Sequence, residues 1–242
     1  MALSDARANR PTLLLTRPQP QSLRFAAELR QRFGSGWPLV IAPLMQMQAI
    51  APAQDPSAFA GVIFSSETGV AAVAAPVAHT KAQCYCVGQR TATAAGAQGW
   101  DVVLTGPDAE GLAAAIIAAG VRGPLLHFHG RHVSGTLAQR LLSAGVETVP
   151  AVVYDQQAQP PTAEMVALLA GAAPVLVPLF SPRSAQLFQQ AATGAQAPLW
   201  VAAISPAVAD VLSLPVARLV VAANPDGDAM LNAITTLLTG QR

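Results

Sequence analysis

Short apolar segments recur along most of the chain, each followed by a turn of small polar residues and an Ala- and Leu-rich amphipathic segment. Seven such segments stand out: TLLLTRP (12–18), GVIFSS (61–66), CYCVG (84–88), LLHFHG (125–130), PVLVPLFSP (174–182), LWVAAISP (199–206) and LVVAANP (219–225). Continuous apolar strands that alternate with helices are typical of parallel sheets covered on both faces. The pattern therefore predicts an α/β fold.

Two extended, proline-punctuated segments interrupt this rhythm: WPLVIAPLMQMQAI (37–50) and VETVPAVVYDQQ (146–157). Neither is followed at once by a helical pattern. We interpret them as two antiparallel linker strands, at about residues 38–44 and 148–155. The stretch between them is long enough to form a domain of its own.

The predicted architecture is two parallel-sheet α/β domains joined by this two-stranded antiparallel linker, with one domain inserted into the other. The outer domain would comprise residues 1–37 and 156–242, and the inserted domain residues 38–155. Paired α/β lobes of this kind usually hold a ligand in the cleft between them. Short linkers with few contacts between lobes predict a flexible monomer.

Composition excludes several classes of protein. Apolar residues make up 52% of the chain and charged residues 11%, which rules out a disordered chain. The 14 basic and 13 acidic residues are dispersed, and few aromatic residues accompany them, so we expect no nucleic-acid partner. The longest apolar run, residues 165–180, is too short to span a membrane and contains Pro174 and Pro178. No signal-peptide core is recognisable near the start, so we predict a cytoplasmic protein.

The two cysteines, Cys84 and Cys86, lie two residues apart in a predicted strand. Their side chains share one face of that strand, but residues so close in a strand rarely have the geometry of a disulfide. We therefore predict two free thiols in the core of a protein from a reducing compartment.

Six motifs, taken in order, resemble the uroporphyrinogen-III synthase family. They extend from about Leu13 to Leu212 and read LLLTRP, VIFSSETGV, CVGQRTATAAGAQGW, LLHFHG with LAQRLLSAGVETVPAVVYD, LFSPRSA and AAISPAVADVL. The chain departs from the family pattern at four positions. Ser65 stands for a threonine and Thr68 for an asparagine, while Ser205 and Val208 replace a glycine and a threonine.

The resemblance implies the inserted two-domain fold and a lyase of haem biosynthesis that needs no metal or organic cofactor. Its substrate would be hydroxymethylbilane, a linear tetrapyrrole that carries many carboxylates. The enzyme would close this chain to uroporphyrinogen III with loss of water and inversion of ring D. A rival hypothesis is a non-catalytic two-lobed binding protein, or sensor, for a small polyanionic ligand.

Strand-to-helix turns present free backbone N–H groups and a positive dipole end, which suit carboxylates. The residues whose N–H groups we expect to bind substrate are Ser65, Ser66, Gly88, Thr91, Ser181, Ser184 and Ser205. The charged residues expected to assist are Arg17, Arg90 and Arg183. Tyr154, in VVYD, is the candidate proton donor, although a tyrosine packed against the linker fits the sequence equally well. Arg17 can also be a solvated strand-end residue, and Arg90 can serve only the dipole of a helix.

Three histidines, His127, His129 and His132, fall within the short stretch LLHFHGRHVSG. This spacing occurs in metal sites, but no acidic residue clusters nearby to complete a ligand set. We therefore predict no metal. His129 is retained as a candidate contact to a substrate carboxylate, and a strand histidine bonded to a backbone carbonyl is the alternative.

Overall fold

The computed structural model describes residues 10–73, 83–132 and 136–240. The chain divides into two compact units. Met1–Gln46 and Ala158–Arg242 form the outer unit, and Met47–Gln157 forms the inserted unit. Each unit has a sheet dominated by parallel strands and flanked by helices, so the predicted α/β class is confirmed.

Strands and helices alternate along both units. The described residues form eleven strands: β1 (Thr12–Leu15), β2 (Leu39–Ile41), β3 (Met45–Ala49), β4 (Gly61–Phe64), β5 (Gln83–Val87), β6 (Asp101–Gly106), β7 (Leu125–Gly130), β8 (Thr148–Ala158), β9 (Val175–Leu179), β10 (Leu199–Ala203) and β11 (Arg218–Val221). They also form nine α-helices: α1 (Gln19–Phe33), α2 (Glu67–Ala72), α3 (Gln89–Ala97), α4 (Ala109–Ala118), α5 (Leu137–Ser143), α6 (Ala163–Leu169), α7 (Pro182–Ala191), α8 (Pro206–Ala209) and α9 (Gly227–Thr239).

The outer unit is built on a five-stranded sheet in the order β11-β10-β9-β1-β2, with every pair parallel. Its central strands are apolar on both faces because helices cover both: Leu13 and Leu14, which point to opposite faces, are both fully buried. Helix α1 packs Phe25 edge-on against Phe180, with ring centroids 5.0 Å apart.

The inserted unit has a six-stranded sheet in the order β3-β8-β7-β4-β5-β6. One face carries an aromatic cluster in which Phe64 lies 5.2 Å from both Trp100 and Phe128, measured between ring centroids. The other face buries Ile63 and Tyr85 against helix α4. Strand β6 was not among the predicted strands, because exposed residues alternate with half-buried ones along this sheet edge.

The first linker strand differs from the prediction of residues 38–44. Residues 39–41 form β2, which pairs in parallel with β1 inside the outer sheet. Backbone bonds from Leu13 N–H to Pro38 O and from Ala42 N–H to Leu15 O extend this pairing. Pro43 has no N–H to continue it, and the chain then enters β3, the neighbour of β8. The second linker segment continues to residue 158, beyond the predicted end at 155.

Parallel strands bring all their strand-to-helix turns to the same edge of a sheet. In the inserted unit this edge carries the turns after β4, β5 and β7, and in the outer unit those after β1, β9 and β10. Most of the residues predicted to bind substrate belong to these turns. Within the described ranges, no helix combines the length and apolar character needed to cross a membrane.

Candidate functional site

The turn between β4 and α2 brings two predicted site residues together. Ser66 is the N-cap of α2, and its Oγ accepts a hydrogen bond from Gly69 N–H at 3.1 Å. The same Oγ lies 3.2 Å from the phenol oxygen, Oη, of Tyr154 on β8. The two residues are 88 positions apart in the chain, and the sheet order makes them neighbours.

Gly130 is a residue of this site that the sequence did not reveal. It is the register partner of Tyr154, at a point where the pairing of β7 and β8 shifts by one residue. A Cβ atom on Gly130 would lie 2.5 Å from two ring carbons of Tyr154 and 2.8 Å from its Oη. The phenol ring therefore lies directly against the Gly130 backbone. Only the strand register reveals this contact, so no sequence signal could have found it.

Tyr154 is 9% exposed, so most of the residue is packed against its neighbours. This packing agrees in part with the alternative that the tyrosine is structural. The hydroxyl, however, is directed to the strand-end turn that holds Ser66. It therefore lies at the edge of the inserted sheet where the strand-to-helix turns are found.

The corresponding turn of the outer unit is closed on itself. Ser181, the N-cap of α7, accepts a bond from Ser184 N–H at 3.1 Å, and Ser184 Oγ accepts one from Ser181 N–H at 3.0 Å. Both N–H groups predicted to hold substrate thus already have partners. A carboxylate at this turn would have to displace the serine hydroxyls.

The other predicted amide donors differ in availability. Gly88 has a φ of 79°, which glycine tolerates best, and its N–H is already bonded to Gly106 O at 2.7 Å. Thr91 is buried in the first turn of α3. Ser205, the N-cap of α8, is half-buried, and its side chain does not cap the helix. Ser65 is half-buried beside Ser66.

The three predicted arginines are placed differently. The Arg17 guanidinium lies over the ring of Phe180, 4.0 Å from its centroid. Arg90 is exposed at the start of α3. Arg183 is half-buried, and its Nε is a buried donor with no hydrogen-bond partner among the described residues. A buried donor of this kind costs free energy until an acceptor reaches it.

The histidines occupy the end of β7 and the turn beyond it. His127 is 4% exposed, and burial, assisted by His129, lowers its pKa to about 4. His129 Nδ1 is 2.8 Å from the carbonyl oxygen of Gly130, which is the backbone arrangement given as the alternative. His132 Nε2 lies 3.6 Å from Oδ1 of Asp155, and Oδ2 of the same carboxylate accepts a hydrogen bond from Arg131 Nε. Within the parts of the chain that the structure describes, no three His, Cys, Asp or Glu side chains are grouped to hold a metal ion.

The two cysteines are free and buried, as predicted. Their Sγ atoms lie 3.6 Å apart on the aromatic face of the inserted sheet. The hydrogen bond with Cys86, together with burial, raises the pKa of the Cys84 thiol.

A surface cavity of about 410 Å³ opens at the opposite edge of the inserted sheet. Arg122, Gly123 and Glu147 line it, where β7 and β8 begin. This position separates it from the strand-end turns, so it is not part of the candidate site.

The observed architecture defines the class: a two-unit α/β protein whose chain leaves the outer unit, builds the inserted unit and returns. The family model described as uroporphyrinogen-III synthase HemD matches residues 24–232, which is most of the chain. The chain therefore belongs to the uroporphyrinogen-III synthase family. This confirms the resemblance stated from the sequence, and with it the function of a cyclising lyase of porphyrin biosynthesis. The binding-protein alternative is not favoured.

Solved structures share the fold. Uroporphyrinogen-III synthetase from Helicobacter pylori 26695 matches with a TM-score of 0.66 at 16% identity, covering 94% of this chain and 99% of that one. A mutant uroporphyrinogen III synthase from the extremely thermophilic bacterium Thermus thermophilus matches with a TM-score of 0.51 at 14% identity, covering 96% and 100%. A comparison with curated protein sequences found no match.

Proposed function

We propose that the chain closes hydroxymethylbilane to uroporphyrinogen III with Tyr154 as the proton donor to the departing hydroxyl group. The observation that carries this assignment is the position of the Tyr154 phenol. It stands at the carboxyl-terminal edge of the inserted sheet, with its Oη 3.2 Å from the Ser66 hydroxyl. Packing against Gly130 holds the ring on one side, and the contact with Ser66 holds its hydroxyl.

The chemistry needs one proton at one oxygen. Hydroxide is a poor leaving group, so the ring A hydroxyl departs as water once Tyr154 protonates it. The electron pair of the broken C–O bond leaves with that oxygen, and the pyrrole nitrogen stabilises the azafulvenium cation that remains. Ring D then attacks through its substituted carbon to give a spiro intermediate. The bond from that carbon to the ring C methylene breaks, and the free α-carbon of ring D bonds the methylene instead, which inverts ring D. The proton on that α-carbon leaves to the Tyr154 phenolate and restores the phenol.

The remaining task is to hold a flexible polycarboxylate in one folded shape. Hydroxymethylbilane closes unaided in water to the uninverted isomer, so the enzyme must favour attack by the other carbon through positioning. The partnerless Nε of Arg183 supports a role in binding a carboxylate. We propose further contacts from the side chains of Arg17, Arg90 and His129 and from the backbone of Ser65, Thr91 and Ser205. The amides of Ser181 and Ser184 are left out because they already have hydrogen-bond partners.

A coupled assay tests the proposal. Purified protein is mixed with freshly generated hydroxymethylbilane, and the porphyrins are oxidised and separated by isomer. We expect mainly type III product from the unaltered chain and a kcat lower by about 100-fold in Tyr154→Phe, the usual contribution of a positioned acid. Type I product alone from the unaltered chain would refute the function. Type III at an unchanged rate from Tyr154→Phe would refute only the role of the tyrosine.

We also propose that the chain acts as a cytoplasmic monomer. One chain carries both the proton donor and the strand-end turns proposed to bind the carboxylates, so no second copy is needed to complete the site. Light scattering on a size-exclusion column should give a mass near 24.8 kDa at assay concentrations. A mass of twice that value would contradict the monomer.

A further inference from the structure

We infer that Ser66 and Gly130 are positioning residues for the phenol of Tyr154: Ser66 donates its hydroxyl proton to Tyr154 Oη, and Gly130 leaves the space in which the ring lies. This inference rests on the proposed role of Tyr154 as proton donor. It gives the Ser66 side chain a function different from the backbone contact to substrate expected from the sequence.

The 3.2 Å separation of Ser66 Oγ and Tyr154 Oη lets either oxygen be the donor. We assign Ser66 as the donor because this direction leaves the phenol proton available for a ligand. Ser66 Oγ has one proton and two lone pairs, and Gly69 N–H already uses one of those lone pairs at 3.1 Å. If Ser66 donates to Tyr154, a continuous chain forms from Gly69 N–H through Ser66 Oγ–H to Oη. The phenol proton is then free to point at a ligand.

This arrangement favours proton donation electronically. Consecutive hydrogen bonds that point the same way polarise one another. Here they point toward Tyr154 Oη, the atom that becomes negative when the phenol gives up its proton. A hydrogen bond to a charged oxygen is stronger than one to a neutral oxygen. The Ser66 hydroxyl therefore stabilises the tyrosine more after proton transfer than before it.

Gly130 is needed because it has no side chain to collide with the Tyr154 ring, and not because of its backbone conformation. Its φ is not positive, so an L-residue can adopt its backbone without strain. A methyl group there, however, would stand 2.5 Å from Tyr154 ring carbons, far inside van der Waals contact. The ring would have to move, and its Oη would leave hydrogen-bond distance of Ser66. Glycine is thus required by the ring position.

A purely structural reading of Ser66 as a helix cap makes different predictions. A cap holds α2 whatever residue 154 is, so its loss should act equally with or without the Tyr154 hydroxyl. Threonine keeps both the cap and the donor. Aspartate keeps the cap, because its carboxylate accepts from Gly69 N–H, but it has no proton to donate.

The decisive experiment is a double-mutant cycle with Ser66→Ala and Tyr154→Phe, measured as kcat and KM for type III product. We expect Ser66→Ala and Ser66→Asp to lower kcat about tenfold with KM changed by less than about twofold, and Ser66→Thr to restore most of the rate. In the Tyr154→Phe background, Ser66→Ala should cost less than about twofold. An equal tenfold loss in that background, or full activity of Ser66→Asp, would overturn the inference.

Gly130→Ala supplies an independent arm, with Gly96→Ala in α3 as its matched control. The control methyl would enter open space, with no atom within 4 Å. We expect about a tenfold lower kcat for Gly130→Ala and an unchanged rate for Gly96→Ala, both with native circular dichroism. An unchanged rate for folded Gly130→Ala would refute the role of Gly130. If that variant fails to fold, the Ser66 cycle still decides the role of the serine.

The outcomes separate this inference from the function on which it rests. If the unaltered chain gives no type III product, the function fails and the inference fails with it. If type III forms but Tyr154→Phe is fully active, the function stands and both the tyrosine role and the inference fall. If Tyr154→Phe is slow and the cycle is additive, only the positioning role is lost.

Discussion

The turns that open α2 in the inserted unit and α7 in the outer unit are nearly identical locally and differ in what they offer a ligand. Each follows an apolar strand, and each begins its helix with a serine. Ser66 has φ and ψ of −161° and 154°, and Ser181 has −162° and 155°. The Ser181 hydroxyl is locked into a reciprocal bond with Ser184. The Ser66 hydroxyl is shared with a tyrosine from a distant strand.

The two caps differ in the second partner of the serine, and under the proposed mechanism this partner brings Ser66 into the site. Both serines satisfy a helix N–H, which is a local matter decided by a few neighbouring residues. Position N3 decides the rest: Ser184 closes the outer turn, whereas Gly69, with no side chain, leaves the inserted turn open to Tyr154. The same motif thus closes one turn and leaves the other in contact with Tyr154.

The largest effect we expect comes from removing the core anchor behind the outer turn. Phe188, on α7, is fully buried, whereas the shorter α2 is anchored by the smaller Val70. Phe188→Ala should lower the free energy of unfolding by about 3 to 5 kcal/mol, and Val70→Ala by about 2 kcal/mol. Urea unfolding followed by circular dichroism measures both. Equal losses would mean that the two helices are held alike.

Acid should affect the two units differently, because the described histidines, His127, His129 and His132, all lie in the inserted unit. Burial lowers the pKa of His127 from 6.5 to about 4 in the folded chain. The unfolded chain therefore binds this proton more readily, so the contribution is complete above about pH 6.5 and is lost as pH falls toward about 4. The loss reaches at most about 3 kcal/mol.

Urea unfolding between pH 7.5 and 4.5 tests this difference. His127→Phe should lose much of the acid sensitivity of the unaltered chain, whatever its stability at pH 7.5. His132→Gln removes a largely exposed imidazole and should retain that sensitivity. An identical pH dependence for His127→Phe and the unaltered chain would count against a buried neutral His127.

The smallest expected effect on stability comes from removing the two serine caps. Ser181→Ala should lower the free energy of unfolding by about 1 to 2 kcal/mol, since it removes the cap of a capping box. Ser66→Ala should cost about 1 kcal/mol at most, because α2 is short and packs less. Thermal unfolding measures both. A larger loss at Ser66 than at Ser181 would contradict the expectation that the cap of the shorter helix contributes less to stability.

Much of the fold could be predicted because continuous apolar strands leave few alternatives. TLLL, GVIF and VLVPL are apolar on both faces, and only a sheet covered on both sides buries such strands. The first linker strand was misplaced because residues 39–41 have an apolar pattern that suits either sheet. Which sheet these residues join depends on which strand has an unpaired edge next to them, and the whole fold determines that.

The sequence proposed residues for the candidate site but could not predict the contacts between them. Ser66 and Tyr154 were both proposed, yet nothing in either motif states that their side chains meet. Gly130 was missed because its role depends on a register shift between β7 and β8. The amides of Ser181 and Ser184 were predicted to be free, but the S-x-x-S spacing allowed the turn to satisfy them first.

The separation of Ser66 and Tyr154 has a consequence for protein synthesis. Of these strands, the ribosome synthesises β4 before β7 and β7 before β8. Another 88 residues are therefore added after Ser66 before Tyr154 is in the chain. A polypeptide that stops at residue 153 has the cap, the aromatic core residues and Gly130, but not the phenol. The Ser66–Tyr154 contact therefore becomes possible only when nearly all of the inserted unit, which ends at Gln157, has been synthesised.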